Sequence, residues 1–254
     1  MFDVIRIPAF KDNYIWLLRK GASAAVVDPG DARPVIAALE RQGLSLTTIL
    51  VTHHHADHQG GVGDLLERFP AAEVFGPAAE SITGVTHRVH GGETIRAAFC
   101  DVEWQVIAVP GHTLGHVAYY GAGCLFCGDT LFAGGCGRLF EGSAAQMADS
   151  LDRLAALPDD TAVYCAHEYT EANLRFALAV EPGNRCLKSR VNEVAVARAK
   201  GWATVPSTIA LEKASNPFLR CGEPEVVASA QRRKADAIGD VAVFAALRDW
   251  KNSF

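Results

Sequence analysis

The sequence predicts a mixed α/β (α+β) fold, and three observations lead there. Up to about residue 165, short β-branched or aromatic runs alternate with Gly, Pro and Asp turns, the pattern of strands. Three stretches of helical spacing interrupt those runs. After about residue 167 the composition turns to Ala, Arg, Lys and Glu with apolar residues at helical intervals, so the tail is predicted to be helical.

Taken in order, strands are predicted at 2–8, 14–18, 24–27, 48–51, 73–75, 102–109, 117–120, 124–127 and 162–165. The interleaved helices are predicted at 34–42, 61–69 and 144–157, and those of the tail at 173–180, 188–200, 226–237 and 241–250. Within the tail, Glu181-Pro-Gly-Asn and Asn216-Pro-Phe carry turn and helix-stop signals. The chain therefore divides, by sequence, into a domain over 1–167 and a helical domain over 168–254.

A chain of 254 residues, 49% hydrophobic and 21% charged, can bury a sizeable core, which excludes disorder. With 24 basic against 29 acidic residues and a pI near 6.0, no broad electrostatic footprint for nucleic acid or anionic membrane is expected. An anionic ligand must meet a local basic cluster instead. Seven cysteines, an odd number spread from Cys100 to Cys221, read as reduced thiols and not as a disulfide framework. The N-terminal residues lack a basic segment followed by an apolar one, and no uncharged apolar run of roughly 18 residues occurs. A soluble, cytoplasmic, monomeric protein is expected.

Chemistry concentrates where predicted strands end. The segment Thr52-His53-His54-His55-Ala56-Asp57-His58 follows the apolar run Ile49-Leu50-Val51 and precedes Gln59-Gly60-Gly61. Alternation along an extended chain puts His53 and His55 on one side and His54 on the other, with Asp57 and His58 in the turn toward the next helix. Three further strand ends each add one group: His112 in Pro-Gly-His-Thr, Asp129 in Cys-Gly-Asp-Thr, and His167 in Cys-Ala-His-Glu. Imidazole and carboxylate together suit borderline divalent metals. Seven such groups exceed the needs of one four- or five-coordinate ion, whereas two ions sharing Asp129 employ them all. A histidine-rich surface tract that binds metal adventitiously is the rival reading, and the three later strand ends weigh against it. His54, His87, His90 and His116 are left as structural or exposed. Asp28, at another strand end, is either an outer support of the metal loop or a plain turn aspartate. Cys124 and Cys127 have redox-motif spacing but lie in an apolar strand, so core packing is preferred.

On these residues the chain resembles the metallo-β-lactamase superfamily, whose H-x-H-x-D-H signature is His53, His55, Asp57 and His58. The resemblance implies a four-layer αββα sandwich with the metals at one sheet edge. It implies one ion on His53, His55, His112 and Asp129, and the other on Asp57, His58, His167 and Asp129. The metals implied are two divalent ions, zinc first, with iron or manganese as alternatives.

The metal residues alone do not name a substrate. The stretch Gly134-Gly135-Cys136-Gly137-Arg138-Leu139-Phe140-Glu141-Gly142 resembles the glycine-rich loop of the hydroxyacylglutathione hydrolase (glyoxalase II) family. So do Cys165-Ala166-His167-Glu168-Tyr169, Glu181-Pro182-Gly183-Asn184, Thr204 to Thr208 and Asn216-Pro217-Phe218, which extends the resemblance over essentially the whole chain. It places glutathione contacts at Arg138, Phe140, Tyr169, Arg248 and Lys251. Phe140 stands where relatives can carry a tyrosine, which leaves it a packing contact without a hydroxyl. Absent the resemblance, Arg248 and Lys251 would read as a solvated helix face.

The activity implied is hydrolysis of S-2-hydroxyacylglutathione, typically S-lactoylglutathione, by a hydroxide bridging two metals, with Asp57 orienting the nucleophile or carrying its proton. The alternative from the same superfamily is a glutathione persulfide dioxygenase, which uses one iron. A nuclease is disfavoured by the pI and the lack of a basic stripe, and a non-catalytic metal scaffold by the full ligand set.

Overall fold

The computed structural model describes residues 2–254. They fall into two compact units, one running to Ala108 and resuming over Gly115–Gly128, the other comprising Val109–Leu114 and Asp129–Phe254.

The first unit contains, in chain order, β1 (Asp3–Ala9), β2 (Asn13–Lys20), β3 (Ser23–Val27), α1 (Ala32–Gln42), β4 (Ser45–Leu50), α2 (Ala56–Gln59), α3 (Val62–Arg68), β5 (Glu73–Pro77), β6 (His87–Val89), β7 (Thr94–Arg96), β8 (Glu103–Ala108), β9 (Val117–Gly121) and β10 (Cys124–Gly128). One sheet takes β1 to β6 in sequence order. Its first three strands are antiparallel, and β3 to β6 are parallel. Parallel neighbours require a crossover, and α1 and α3 supply two of them. Their apolar stripes, Val35 and Leu39 on α1 and Val62 and Leu65 on α3, pack with Leu17, Val26, Ile49 and Val74 of the sheet in one core. A second, antiparallel sheet runs β7-β8-β9-β10. The two sheets meet at Tyr119, buried on β9, whose hydroxyl donates to Val51 O at 2.9 Å just beyond β4.

The helix boundaries follow local chemistry. Asp31 caps α1 by accepting from Arg33 N, and Gly43 ends it in the left-handed region at φ 64°. Between β3 and α1, Gly30 lies so close to the metal-motif loop that a Cβ there would fall 1.9 Å from Asp57 O. No other residue fits.

The second unit holds the hairpin of β11 (Leu131–Phe132) and β12 (Gly135–Cys136), then α4 (Ala144–Ala155), β13 (Ala162–Cys165), α5 (Thr170–Val180), α6 (Arg185–Ala199), β14 (Ser207–Thr208), α7 (Ile209–Ser215), a 3-10 turn at Pro217–Leu219, α8 (Pro224–Arg233) and α9 (Asp240–Asn252). β13 pairs antiparallel with β14. Ser143 and Gln146 form a reciprocal capping box on α4, Asn184 caps α6, and Pro224 opens α8. Inside this unit Arg190 and Glu212 form a buried ion pair of 2.5 Å. Arg190 also donates to Ser215 Oγ, while Glu212 accepts from Gly134 N at 2.8 Å and from Asn216 Nδ2 at 3.0 Å. Both Nη atoms of Arg190 and both carboxylate oxygens of Glu212 are thereby matched, the condition under which buried charge is tolerated.

The predicted elements are present, with ends shifted by a few residues. The sequence reading lacks α2, β6, β7, β11, β12, β14 and α7, all of seven residues or fewer, too short for either periodicity to register.

Candidate active site

The parallel strands β3 and β4 end at Val27 and Leu50, shortly before Asp28 and Thr52, and the loop after β4 carries the histidine motif. Asp28 takes φ 51°, a left-handed conformation that aspartate tolerates better than most residues, and this turns its carboxylate back on the loop. Oδ1 accepts from Thr52 N at 2.8 Å, and Oδ2 accepts from Thr52 Oγ1 at 2.8 Å and from His58 Nδ1 at 3.0 Å. The outer-support reading of Asp28 is therefore the one the geometry favours. With Nδ1 of His58 occupied as donor, its lone pair sits on Nε2, 3.6 Å from Asp57 Oδ2. The Thr52 hydroxyl, having given its proton to Asp28, accepts from His53 Nδ1 at 3.1 Å. His53 thus turns Nε2 toward His55 Nδ1, 3.1 Å away. Two ring nitrogens at that separation can share one cation.

His54 points elsewhere. Its backbone N–H and its Nδ1 both meet the buried carboxylate of Glu80, which also accepts from Gly115 N. His116 stacks on His53, ring centroids 4.6 Å apart, and His87 stacks on Phe75. Asn13 Nδ2 donates to Asp57 Oδ2 at 3.0 Å, fixing a half-buried carboxylate.

In the second unit, Asp129 faces two imidazoles at once: Oδ2 lies 3.4 Å from His112 Nε2 and Oδ1 lies 3.3 Å from His167 Nε2. These distances are long for N–H···O bonds and suit groups arranged around cations. His112 Nδ1 donates to Arg138 O at 2.8 Å, again leaving the lone pair on Nε2. His167 is held by aromatic rings, Tyr169 stacked at 4.7 Å and 5° and Phe132 edge-on at 5.8 Å. Gly137 sits against Asp129, where an added Cβ would come within 1.8 Å of Asp129 O. Histidines whose Nδ1 is committed to a carboxylate, hydroxyl or carbonyl and whose Nε2 faces another ligand atom are arranged as metal ligands are, so the donor set fits divalent ions.

His112 and Asp129 also line a cavity of about 390 Å³. Its wall continues through Phe132, Arg138, Phe140, Tyr169, Arg248 and Lys251. The solvated-face reading of the last two fails: Arg248 is 6% exposed and Lys251 half-buried. Burial, reinforced by Arg248 and Arg175, lowers the Lys251 ammonium to about 8. Lys251 Nζ donates to Ala172 O at 3.2 Å and stands 5.2 Å over the Phe176 ring. Phe140 is 61% exposed and sets its ring edge-on to His112 at 5.2 Å. Sequence reading missed Asn13, Glu80, Phe132 and Asn173, the last in the cavity wall, none of which sits in a recognisable motif.

An α/β fold whose strand ends present these imidazole and carboxylate clusters defines a metal-site protein, and the comparisons agree. Residues 10–167 match the family model described as metallo-beta-lactamase superfamily, and residues 168–254 the one described as hydroxyacylglutathione hydrolase C-terminus. A hydroxyacylglutathione hydrolase of Dechloromonas aromatica (strain RCB) is 56% identical, all of both chains being covered. Among solved structures, ETHE1 from Myxococcus xanthus aligns at a TM-score of 0.67 with 27% identity, over 100% of this chain and 99% of that one. The di-iron-bound form of TTHA1623 aligns at 0.60 with 25% identity, over 85% of this chain and 100% of that one. The chain belongs to the metallo-β-lactamase superfamily and, within it, to the hydroxyacylglutathione hydrolase family. The αββα fold class with a helical C-terminal region stands, and the match over the tail decides for the hydrolase against the persulfide dioxygenase. Among the described residues no helix is long and apolar enough to cross a membrane.

Proposed function

We infer that this chain hydrolyses S-2-hydroxyacylglutathione thioesters, S-lactoylglutathione among them, to a 2-hydroxy acid and glutathione. The observation that carries this reading is the cavity in which His112 and Asp129 share a wall with Arg138, Arg248 and Lys251. Glutathione bears two carboxylates and one ammonium, so converging Arg and Lys donors hold it even in an acidic protein.

We propose His53, His55, Asp57, His58, His112, Asp129 and His167 as the ligands of two divalent ions, zinc first, with iron or manganese as alternatives, Asp129 being shared. Bound there, such ions would lower the pKa of a coordinated water toward about 7 and would supply Lewis acidity for the thioester carbonyl. The remaining steps fall to side chains. Asp57, steadied by Asn13, orients the attacking water or takes its proton. Arg138, Arg248 and Lys251 hold the glutathione carboxylates, Tyr169 lies along the ligand and keeps the His167 ring in place, and Phe140 packs at the mouth. Glutathione thiolate, with a thiol pKa of about 8.5, leaves without a dedicated general acid.

The proposed domain division at 167/168 is supported by the extents of the two family matches. A cytoplasmic location is proposed as well. Burial pushes the Cys165 thiol up to about 12 and those of Cys136 and Cys221 upward, so these three buried thiols are poor nucleophiles and suit a reducing compartment.

The deciding experiment is an assay of S-lactoylglutathione with purified protein whose metal content is measured in the same sample. Loss of thioester absorbance matched by released thiol is expected. Metal-loaded protein that leaves the thioester intact and consumes oxygen with glutathione persulfide would restore the dioxygenase.

A further inference from the structure

Arg248 does more in the cavity wall than a ligand contact requires. Its Nη1 donates to Cys136 O at 2.9 Å and lies 3.4 Å from Gly137 O, while the guanidinium carbon stands 5.3 Å over the Phe218 ring. One residue further on, Arg138 O accepts the Nδ1 proton of His112. Gly137, between the two contacts, has no room to move: its N–H donates to Thr130 O at 3.0 Å, and its Cα is pressed against Asp129 O. Residues 136–138 are therefore a short strip of backbone gripped on one side by Arg248 and gripping His112 on the other. Arg248 Nε, buried, has no hydrogen-bond partner among the described residues, and the side chain lines the cavity.

We propose that Arg248 is a positioning residue for His112: by fixing the carbonyls of Cys136 and Gly137 it sets where Arg138 O stands, and hence how His112 presents Nε2 beside Asp129. The inference rests on reading His112 as a metal ligand. Partners that orient a ligating histidine typically change metal affinity by about 10- to 100-fold, and here the partner is itself oriented from α9. A side chain that only held a remote carboxylate would act equally on ground and transition states, raising KM and nothing else.

The test compares Arg248→Met, which keeps the length but offers no donor, with Arg248→Lys, which keeps a donor for the carbonyls. Lys251→Met serves as the comparator, since it removes a cation from the same cavity without touching the strip. In the metal-loaded enzyme, Arg248→Met is expected to lower kcat roughly tenfold, to release metal at about tenfold lower chelator concentration, and to shift the visible spectrum of the cobalt-substituted form. Arg248→Lys and Lys251→Met are expected to raise KM while keeping the wild-type cobalt spectrum and metal retention. Should Arg248→Met not fold, Arg248→Gln withdraws the donor by shortening the chain, and the same metal release and spectral shift are expected. Raised KM alone, with a wild-type cobalt spectrum in the folded variant, overturns the proposal. His112→Ala separates the two levels: metal loss there but not in Arg248→Met overturns the positioning role alone, and full metal content in His112→Ala overturns the ligand reading and this inference with it.

Discussion

Asp28 Oδ2 stands 3.0 Å from His58 Nδ1, and both side chains are buried. The carboxylate fixes the tautomer of His58 and, through Thr52, that of His53, so one residue at the end of β3 orients two of the proposed ligands. Asp28→Asn keeps the left-handed turn, which asparagine also tolerates, but loses the charge. It is expected to weaken metal binding by about 10- to 100-fold in a chelator titration. A wild-type titration curve would reduce Asp28 to a turn residue.

Metal-saturated protein is expected to hold two ions per chain by elemental analysis, because seven ligand groups exceed one coordination sphere. Asp129→Ala and His58→Ala should lose metal and turnover. His54→Ala should retain both, because His54 is engaged with Glu80. A stable content of one ion in fully active enzyme would remove the shared role of Asp129.

Lys251 titrates near 8, well below an ordinary lysine, because burial disfavours its charge. The ammonium is therefore present below that pH and lost above it. KM for S-lactoylglutathione should rise as the pH passes from 7 to 9, and Lys251→Met should raise KM at pH 7 and flatten that rise. A KM profile identical in wild type and variant would detach Lys251 from the substrate.

Phe140→Tyr adds a hydroxyl at the mouth of the cavity. A neutral hydrogen bond is worth roughly 0.5 to 1.5 kcal/mol, and Phe140 is 61% exposed, so KM should fall by only about two- to threefold. Steady-state kinetics on the single variant decide it, and an unchanged KM means the ring only packs.

Much of this arrangement was legible before the structure. Longer elements carry many apolar positions, so α1, α4 and the strands around Val26 and Ile49 declare themselves by period. The ligand candidates stood out because metal-binding residue types crowd strand ends. The supports did not. Asn13 reaches Asp57 from 44 residues away, and Glu80 reaches His54 from 26, and neither spacing leaves a trace in a one-dimensional pattern. Arg190, on α6, is one charge among several along its helix, and nothing local in the sequence distinguishes a cation that is buried against Glu212. Residues that do chemistry announce themselves by type, whereas those that hold them in place depend on long-range pairing.

The Arg190–Glu212 pair bears on how such chains can be recombined. Glu212 belongs to the tail, yet it accepts from Gly134 N, and Asn216 near it donates to Gly135 O at 2.9 Å, both in the β11–β12 hairpin. A chimera joined at residue 168 would take the anion from one parent and the turn it holds from the other. Any mismatch there would leave the buried Glu212 carboxylate short of its backbone donor, and an unsatisfied buried acceptor costs about 1 to 3 kcal/mol, more when it is charged. A crossover at the Gly128/Asp129 boundary of the compact units keeps hairpin, anion and cation in one inherited block. Gene shuffling within this family should therefore yield folded progeny more often from breaks near residue 128 than from breaks near 168, although the family models divide at the latter.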